Sequence, residues 1–448
     1  MPPEAAIAAP PLSGRVLGLI QRYRSAAIMA ASRLVAVAAQ FAVQMAVGAL
    51  GGAAALGILQ LFQSWTSIGG EVAARGLPTR AMRDSSIDFA NGNVAGVKER
   101  LRAFSRSIAL GWIAAAVLIS IIVATVYYMG ISGGDQRDYR YAVCAALLAA
   151  PLFALLRLTA DTLKAMDSPT PAILVESLGI PVVLLAAAAA FWISGMAMTT
   201  AALLIAGVAG YLAAPAAMAL LVRRRASECQ QRATDVTEGA PPDHGDGNVL
   251  WATSLLSVAF LHLPFLVLPF YAAAAEIGVF AVANKLMGII TMLLILLAAV
   301  FGPAFARKAA SGGALKGLLL KSQLYSSIIY LPLALGLLLA GPLLGRLFNV
   351  PPQDLQLMLL ILAAGHLVNA ATGLSGVLLN MAGAASLELK ATGAAMLVTL
   401  IASPLVGSAY GYVGLAVLFS VAIAAKNMMS FIFARRFLAQ GELNHETA

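Results

Sequence analysis

Twelve stretches of about 20 mostly apolar residues constrain this chain more than any other feature. A run of that length crosses the hydrocarbon of a bilayer as an α-helix, in which every backbone polar group is satisfied within the segment. The runs lie near 25–48, 53–77, 105–129, 141–164, 171–194, 199–222, 249–271, 276–302, 322–345, 356–381, 390–409 and 411–434. They are rich in Ala, Gly and Ser, which lets helices approach closely in lipid. Only 11% of the 448 residues are charged and 60% are hydrophobic. Soluble domains carry about twice that charge, so a soluble enzyme, a disordered protein and a secreted disulfide scaffold are excluded. Strands of alternating polarity are missing, which excludes an outer-membrane barrel. The expected fold class is all-α: a polytopic membrane protein of about twelve transmembrane helices in two six-helix lobes around a central cavity.

The net charge of +9 would point to nucleic acid in a soluble domain. In a membrane chain it records topology, and no nucleic-acid partner is expected. With the N-terminus inside, about 21 of the 29 cations fall in inner segments and about three in outer ones, as the positive-inside rule requires. This predicts cytoplasmic termini and a multi-pass protein of a bacterial inner membrane. The polar stretch 223–248, with Arg223-Arg224-Arg225 and Pro241-Pro242, reads as a cytoplasmic linker. It divides the chain into an N-terminal amphipathic segment and lobe (1–24 and 25–222), and a second lobe and tail (249–434 and 435–448). A weak repeat relates the halves: Gly51-Gly52 leads into a helix through Gly57, and Ala272-Ala273 leads into one through Gly278. Transporters are commonly built from such repeats, with substrate held between them.

No HExxH, GxSxG, P-loop or paired-Cys motif occurs, and the outer loops are short. Neither an enzyme nor a bound cofactor is therefore expected, and a membrane glycosyltransferase or polymerase is disfavoured. Cys144 and Cys229 lie in very different surroundings, unlike a disulfide or metal pair.

Five cations remain inside the apolar runs: Arg33, Arg75, Arg157, Lys285 and Lys426. Each costs about 2.5–3.5 kcal/mol near a helix centre, so such residues face a cavity or a partner. Glu71 and Arg75, and likewise Arg157 and Asp161, are four apart, with Lys164 three further on, spacings that permit ion pairs along one helix face. Arg33, Arg157 and Lys426 lie about 10–12 Å from the inner ends of their spans, counted at 1.5 Å per residue. Together with Lys285, nearer the midplane, they suggest a basic chamber for an anionic phosphate or pyrophosphate headgroup. The same cations read equally as interhelix ties to Asp161 and Glu176. His262 and His366 are further candidates for the cavity or for coupling, or else hydrogen-bonded packing residues. Asn284, Asn369 and Gln40 could line the cavity as a sugar-binding path, or equally bond neighbouring helices.

Several short motifs carry a resemblance. Ser32-Arg33-Leu34, Gly51-Gly52, Leu56-Gly57-Ile58 and Ala74-Arg75-Gly76-Leu77-Pro78-Thr79-Arg80 open the first half. Glu276-Ile277-Gly278-Val279-Phe280 and Tyr410-Gly411-Tyr412-Val413-Gly414-Leu415-Ala416 follow in the second. In span order these resemble the polysaccharide transporters and oligosaccharide flippases of the multidrug/oligosaccharidyl-lipid/polysaccharide (MOP) superfamily. The resemblance implies a V-shaped bundle that flips a polyprenyl-pyrophosphate-linked oligosaccharide from the cytoplasmic to the outer leaflet. It also implies that Arg33, in the matching Ser-Arg-Leu, holds the pyrophosphate. The expected partners are that lipid-linked substrate, membrane lipids and other polysaccharide-assembly membrane proteins. A coupling cation or the membrane potential would supply the energy. About twelve spans depart from the fourteen of the lipid II flippases. The alternative within the superfamily is a cation-coupled small-molecule exporter, whose membrane acids here reduce to Glu71, Asp161 and Glu176.

Overall fold

The computed structural model describes residues 12–128, 136–230, 247–311 and 315–446. The described residues are helical, with no strand. Helix α1 (Leu12–Ala74) is followed by α2 (Leu77–Ala90), α3 (Val94–Tyr128), α4 (Gln136–Ala165), α5 (Pro169–Ser194) and α6 (Thr200–Gln230). The second half holds α7 (Gly247–Val267), α8 (Ala274–Ala310), α9 (Lys316–Leu347), α10 (Pro352–Thr372), α11 (Ser375–Met381) and α12 (Ala385–Glu446). Eight of these helices are long and apolar enough to cross a membrane.

The two longest helices each contain a turning point. Gly52 (φ 68°) divides α1 and Gly411 (φ 59°) divides α12. Positive φ strains any residue with a Cβ, and glycine escapes that strain. Each arm of α1 and α12 is thus a separate rod, which reproduces the expected run of crossings. Other boundaries differ from expectation. The span expected at 356–381 is broken: α10 stops at Thr372, Gly373 takes φ 62°, and α11 starts afresh at Ser375. A helix, α2, occupies a stretch expected to be only a basic loop. Pro78 suits its first turn, its buried face carries Asp84 and Asp88, and Arg100 on α3 bonds Asp88 at 2.7 and 2.9 Å and Asp84 at 3.3 Å. From Leu12 onward the segment expected at 1–24 is not separate from the first span but is the start of α1; its side chains, and residues 1–11 and 231–246, lie outside the described set.

The outer faces are apolar. Along α9, Leu320, Leu324, Ile328, Leu331, Leu335, Leu339 and Leu343 are all exposed, one helix face with no charge. So large an apolar exposure suits hydrocarbon rather than water as its surroundings, and the chain is a multi-pass membrane protein.

The apolar cores differ at the two ends of the bundle. One large core draws Val47, Leu56 and Phe62 from the first half and Phe265, Ile277 and Phe280 from the second. Toward the end bearing the basic loops the halves have separate cores. Val97, Leu156 and Leu163 build one, and Phe301, Phe305 and Leu378 build the other. Two lobes joined at one end and parted at the other leave a cleft between them.

Candidate functional site: a cavity between the lobes

At the joined end the lobes meet through backbone. A Cβ on Gly57 would collide with the Ala274 carbonyl oxygen, and a Cβ on Gly278 would collide with that of Ala53. The contact is reciprocal: each glycine abuts the residue four before the other, as about a two-fold axis. These are the two residues that the sequence repeat aligns. Around them, Asn349 donates from Nδ2 to the Gly48 carbonyl at 3.0 Å, and the Tyr139 hydroxyl donates to the Ala272 carbonyl at 2.7 Å. Phe41 meets Phe348 edge-on. This seal closes one end of the cleft.

Below it lies a cavity of about 1080 Å³, lined by α1, α5 and α6 from one lobe and by α7, α8, α10, α11 and α12 from the other. It reaches Glu176 near the start of α5, and Asn380 and Glu388 beside the α11–α12 turn, so it extends to the basic end.

Of the residues expected at a site, Lys285, Lys426, Glu176, Asn284, His262 and His366 line this cavity. Arg157 and Asp161 do not. Arg33 sits on α1, and its side chain lies outside the described set. Neither expected i, i+4 pair forms: Glu71 turns to another helix, and Asp161 pairs one residue closer on its own helix. Glu71 binds the Arg157 guanidinium on α4 instead of Arg75. Asp161 accepts from Lys164 at 2.9 Å instead of from Arg157, and Lys164 also reaches Glu176 at 2.8 Å. Arg75 takes φ 46°; it has left the helix, so the four-residue spacing no longer places it beside Glu71.

Glu71 is also a tie between lobes. Its Oε1 accepts from Ser254 at 2.5 Å, and its carbonyl accepts from the Trp251 indole at 3.1 Å. Higher on the same two helices, His262 Nδ1 and Ser64 Oγ lie 3.0 Å apart. Helix α7 thereby fastens one flank of the cleft. Glu71→Ala should lower stability by about 3 kcal/mol, the low end for breaking a buried pair, because Arg157 keeps 31% of its side chain exposed. Thermal unfolding in detergent measures this, and Arg157→Met in the same background should restore part of the loss.

Two cavity groups escaped the sequence reading. Glu388 begins α12, just outside the span expected at 390–409. Its carboxylate packs over Gly376, binds Lys426 Nζ and accepts from Ser430 Oγ at 2.6 Å. Glutamines 44, 60 and 63 join Gln40 on the wall from α1; their signal was polar residues three or four apart within apolar runs. The charge of the lining is therefore uneven. Both its carboxylates, Glu176 and Glu388, are bonded to lysines. Lys285, by contrast, forms no ion pair with any described residue.

No protein-family model matches the sequence, and no curated relative does. Solved structures do. A multidrug resistance MATE family transporter of the MOP superfamily in an inward-facing conformation is 13% identical, with a TM-score of 0.69 over 90% of this chain and 94% of that one. One in an outward-facing conformation gives 0.55 at 15% identity, over 93% and 96%. A MOP superfamily transporter from Pyrococcus furiosus, whose reversed binding-pocket polarity suggests a different function, gives 0.52 at 15%, over 93% and 94%. The better fit to the inward-facing form agrees with a cleft closed at one end and reaching the basic end. The fold of this chain is that of the MATE transporters of the MOP superfamily.

Proposed function

We propose that this protein moves a polyprenyl-pyrophosphate-linked oligosaccharide, a repeat unit of a bacterial surface glycan, from the cytoplasmic to the outer leaflet by alternating access. The observation that carries the reading is Lys285: an ammonium on the cavity wall without an acid partner among the described residues, while both lining carboxylates are bonded to lysines. A lumen of that sign attracts a pyrophosphate and repels a cationic drug. Lys426, held by Glu388, is a second cation that a polyanion could recruit, and Arg33 is a third from the Ser-Arg-Leu match. The basic loops support an inner cleft open to the cytoplasm, where such lipids would be loaded. The membrane potential supports the direction. Each negative charge moved out of a cell that is negative inside gains about 2.3 kcal/mol per 100 mV.

Loss of the protein tests this in the cell. Surface glycan should fall, and the lipid-linked repeat unit should accumulate on the cytoplasmic side; unchanged glycan and no accumulation would overturn the reading. The second reading is a cation-coupled small-molecule exporter. It is favoured by the likeness to the inward-facing multidrug MATE transporter, and it predicts raised drug sensitivity with normal glycan.

A further inference from the structure

The lobe containing α7–α12 carries the free charge of the cavity together with Asn284, Asn369, Asn380 and Asn427, and the other lobe carries four glutamines on α1. Gln40 and Gln44 lie four apart on the first arm of α1, and Gln60 and Gln63 three apart on the second. Those spacings put each pair on one helix face, and all four line the cavity. Gln60 donates to Ser64 at 3.2 Å. The side chains of Gln40, Gln44 and Gln63 make no hydrogen bond with a described residue. Buried hydroxyls elsewhere return to their own helix, as Thr66 does to Phe62 and Thr399 to Ala395.

Gln44 is the sharpest case. It is 4% exposed, and its Oε1 is one of three buried side-chain atoms without a partner among the described residues. Keeping such an acceptor unmatched costs about 1–3 kcal/mol. A half-turn of the amide about its last torsion exchanges oxygen and nitrogen toward the lumen, where a partner from outside the chain can meet either.

A primary amide offers both donors and an acceptor, which matches the neighbouring hydroxyls of a sugar ring, and it does not compete for an anion. The placement fits as well. Gln44 is four residues before Gly48, whose carbonyl Asn349 holds in the seal, and Gln60 is three residues past Gly57 in the contact with Gly278. Lys285 is seven residues past Gly278, so both walls converge near the closed end of the cavity.

We infer that Gln40, Gln44 and Gln63 form a subsite for the uncharged, hydroxyl-bearing part of the cargo, the first sugar joined to the pyrophosphate, across the cavity from Lys285. The inference rests on the flippase reading. It assigns the two chemical halves of the cargo to the two lobes, so that one molecule bridges them.

The test uses the whole protein in nanodiscs and two lipids: a bare polyprenyl pyrophosphate and the same lipid carrying one N-acetylhexosamine. Wild type should bind the sugar-bearing lipid roughly tenfold more tightly. Gln44→Leu and Gln44→Met should each lose that preference while binding the bare lipid as wild type does, which also shows that they fold. A preference of the same size in both variants, or no preference in wild type, overturns the subsite and leaves the flippase reading standing. Wild type that binds neither lipid overturns both.

Discussion

Lys285→Gln should abolish transport while leaving the fold intact. The substitution removes the charge and leaves an uncharged amide, one bond shorter than the lysine, that can still donate hydrogen bonds at that part of the wall. A charge-assisted bond to a phosphate oxygen in a partly dry cavity contributes about 2–3 kcal/mol. The affinity for a pyrophosphate-bearing lipid should therefore fall by roughly 30- to 100-fold. The melting temperature should change little, because Lys285 forms no ion pair with a described residue. Lys285→Arg, which keeps the charge on a longer and planar head, should retain part of the activity. The two readings separate here, since in an exporter of organic cations Lys285→Gln would remove a repulsion and raise dye efflux. Titration of purified variants with a polyprenyl pyrophosphate, beside a dye-efflux assay, distinguishes the outcomes.

The second large effect concerns the seal. Gly57→Leu or Gly278→Leu should drive the lobes apart where they are joined and close them at the basic end. A side chain at either position meets the backbone carbonyl of the opposite lobe, which cannot yield as a flexible side chain does. Overpacking of this kind costs about 1–3 kcal/mol, enough to shift a two-state balance by roughly 5- to 150-fold. Leucine is a good helix former, so loss of helix propensity would not explain the result. Spin labels at Arg102 and Lys390, exposed on opposite lobes at the basic end, should move closer in either variant. Cys144 and Cys229 would be replaced beforehand. Because both glycines serve one contact, the double variant should add little to either single one. Label distances unchanged from wild type would show that the glycine pair does not set the conformation.

What the sequence discloses of this molecule divides along a physical line. Covalently local features were legible. The apolar runs, the turning points at Gly52 and near Gly411, and the equivalence of Gly57 and Gly278 all follow from spacing along the chain. Side-chain partnership inside a bundle was not. The i, i+4 rule offers Arg75 to Glu71 and Asp161 to Arg157, but Arg75 leaves the helix with φ 46°. Tertiary packing then gives Glu71 to Arg157 and Glu176 to Lys164, while Asp161 takes Lys164 three residues on along its own helix. Lys426 has no acid near it in sequence and finds Glu388 only because α12 folds back at Gly411. Helix α2 was missed for a different reason: it is an amphipathic helix whose polar face masks it in a search for apolar runs. The cavity glutamines carry no motif. Their meaning appears only when the two arms of α1 bring them to one wall.

The central claim is that the charge of the cavity selects an anionic lipid and carries it across. Proteoliposomes holding the purified protein and a fluorescent polyprenyl-pyrophosphate oligosaccharide test it most directly, with a membrane-impermeant quencher added outside to count lipids in each leaflet. The account predicts protein-dependent movement of that lipid, faster when the membrane potential drives negative charge in the transport direction, and none above background with Lys285→Gln. Movement equal in Lys285→Gln and wild type, or no movement beside a proton-driven flux of an organic cation, would contradict it.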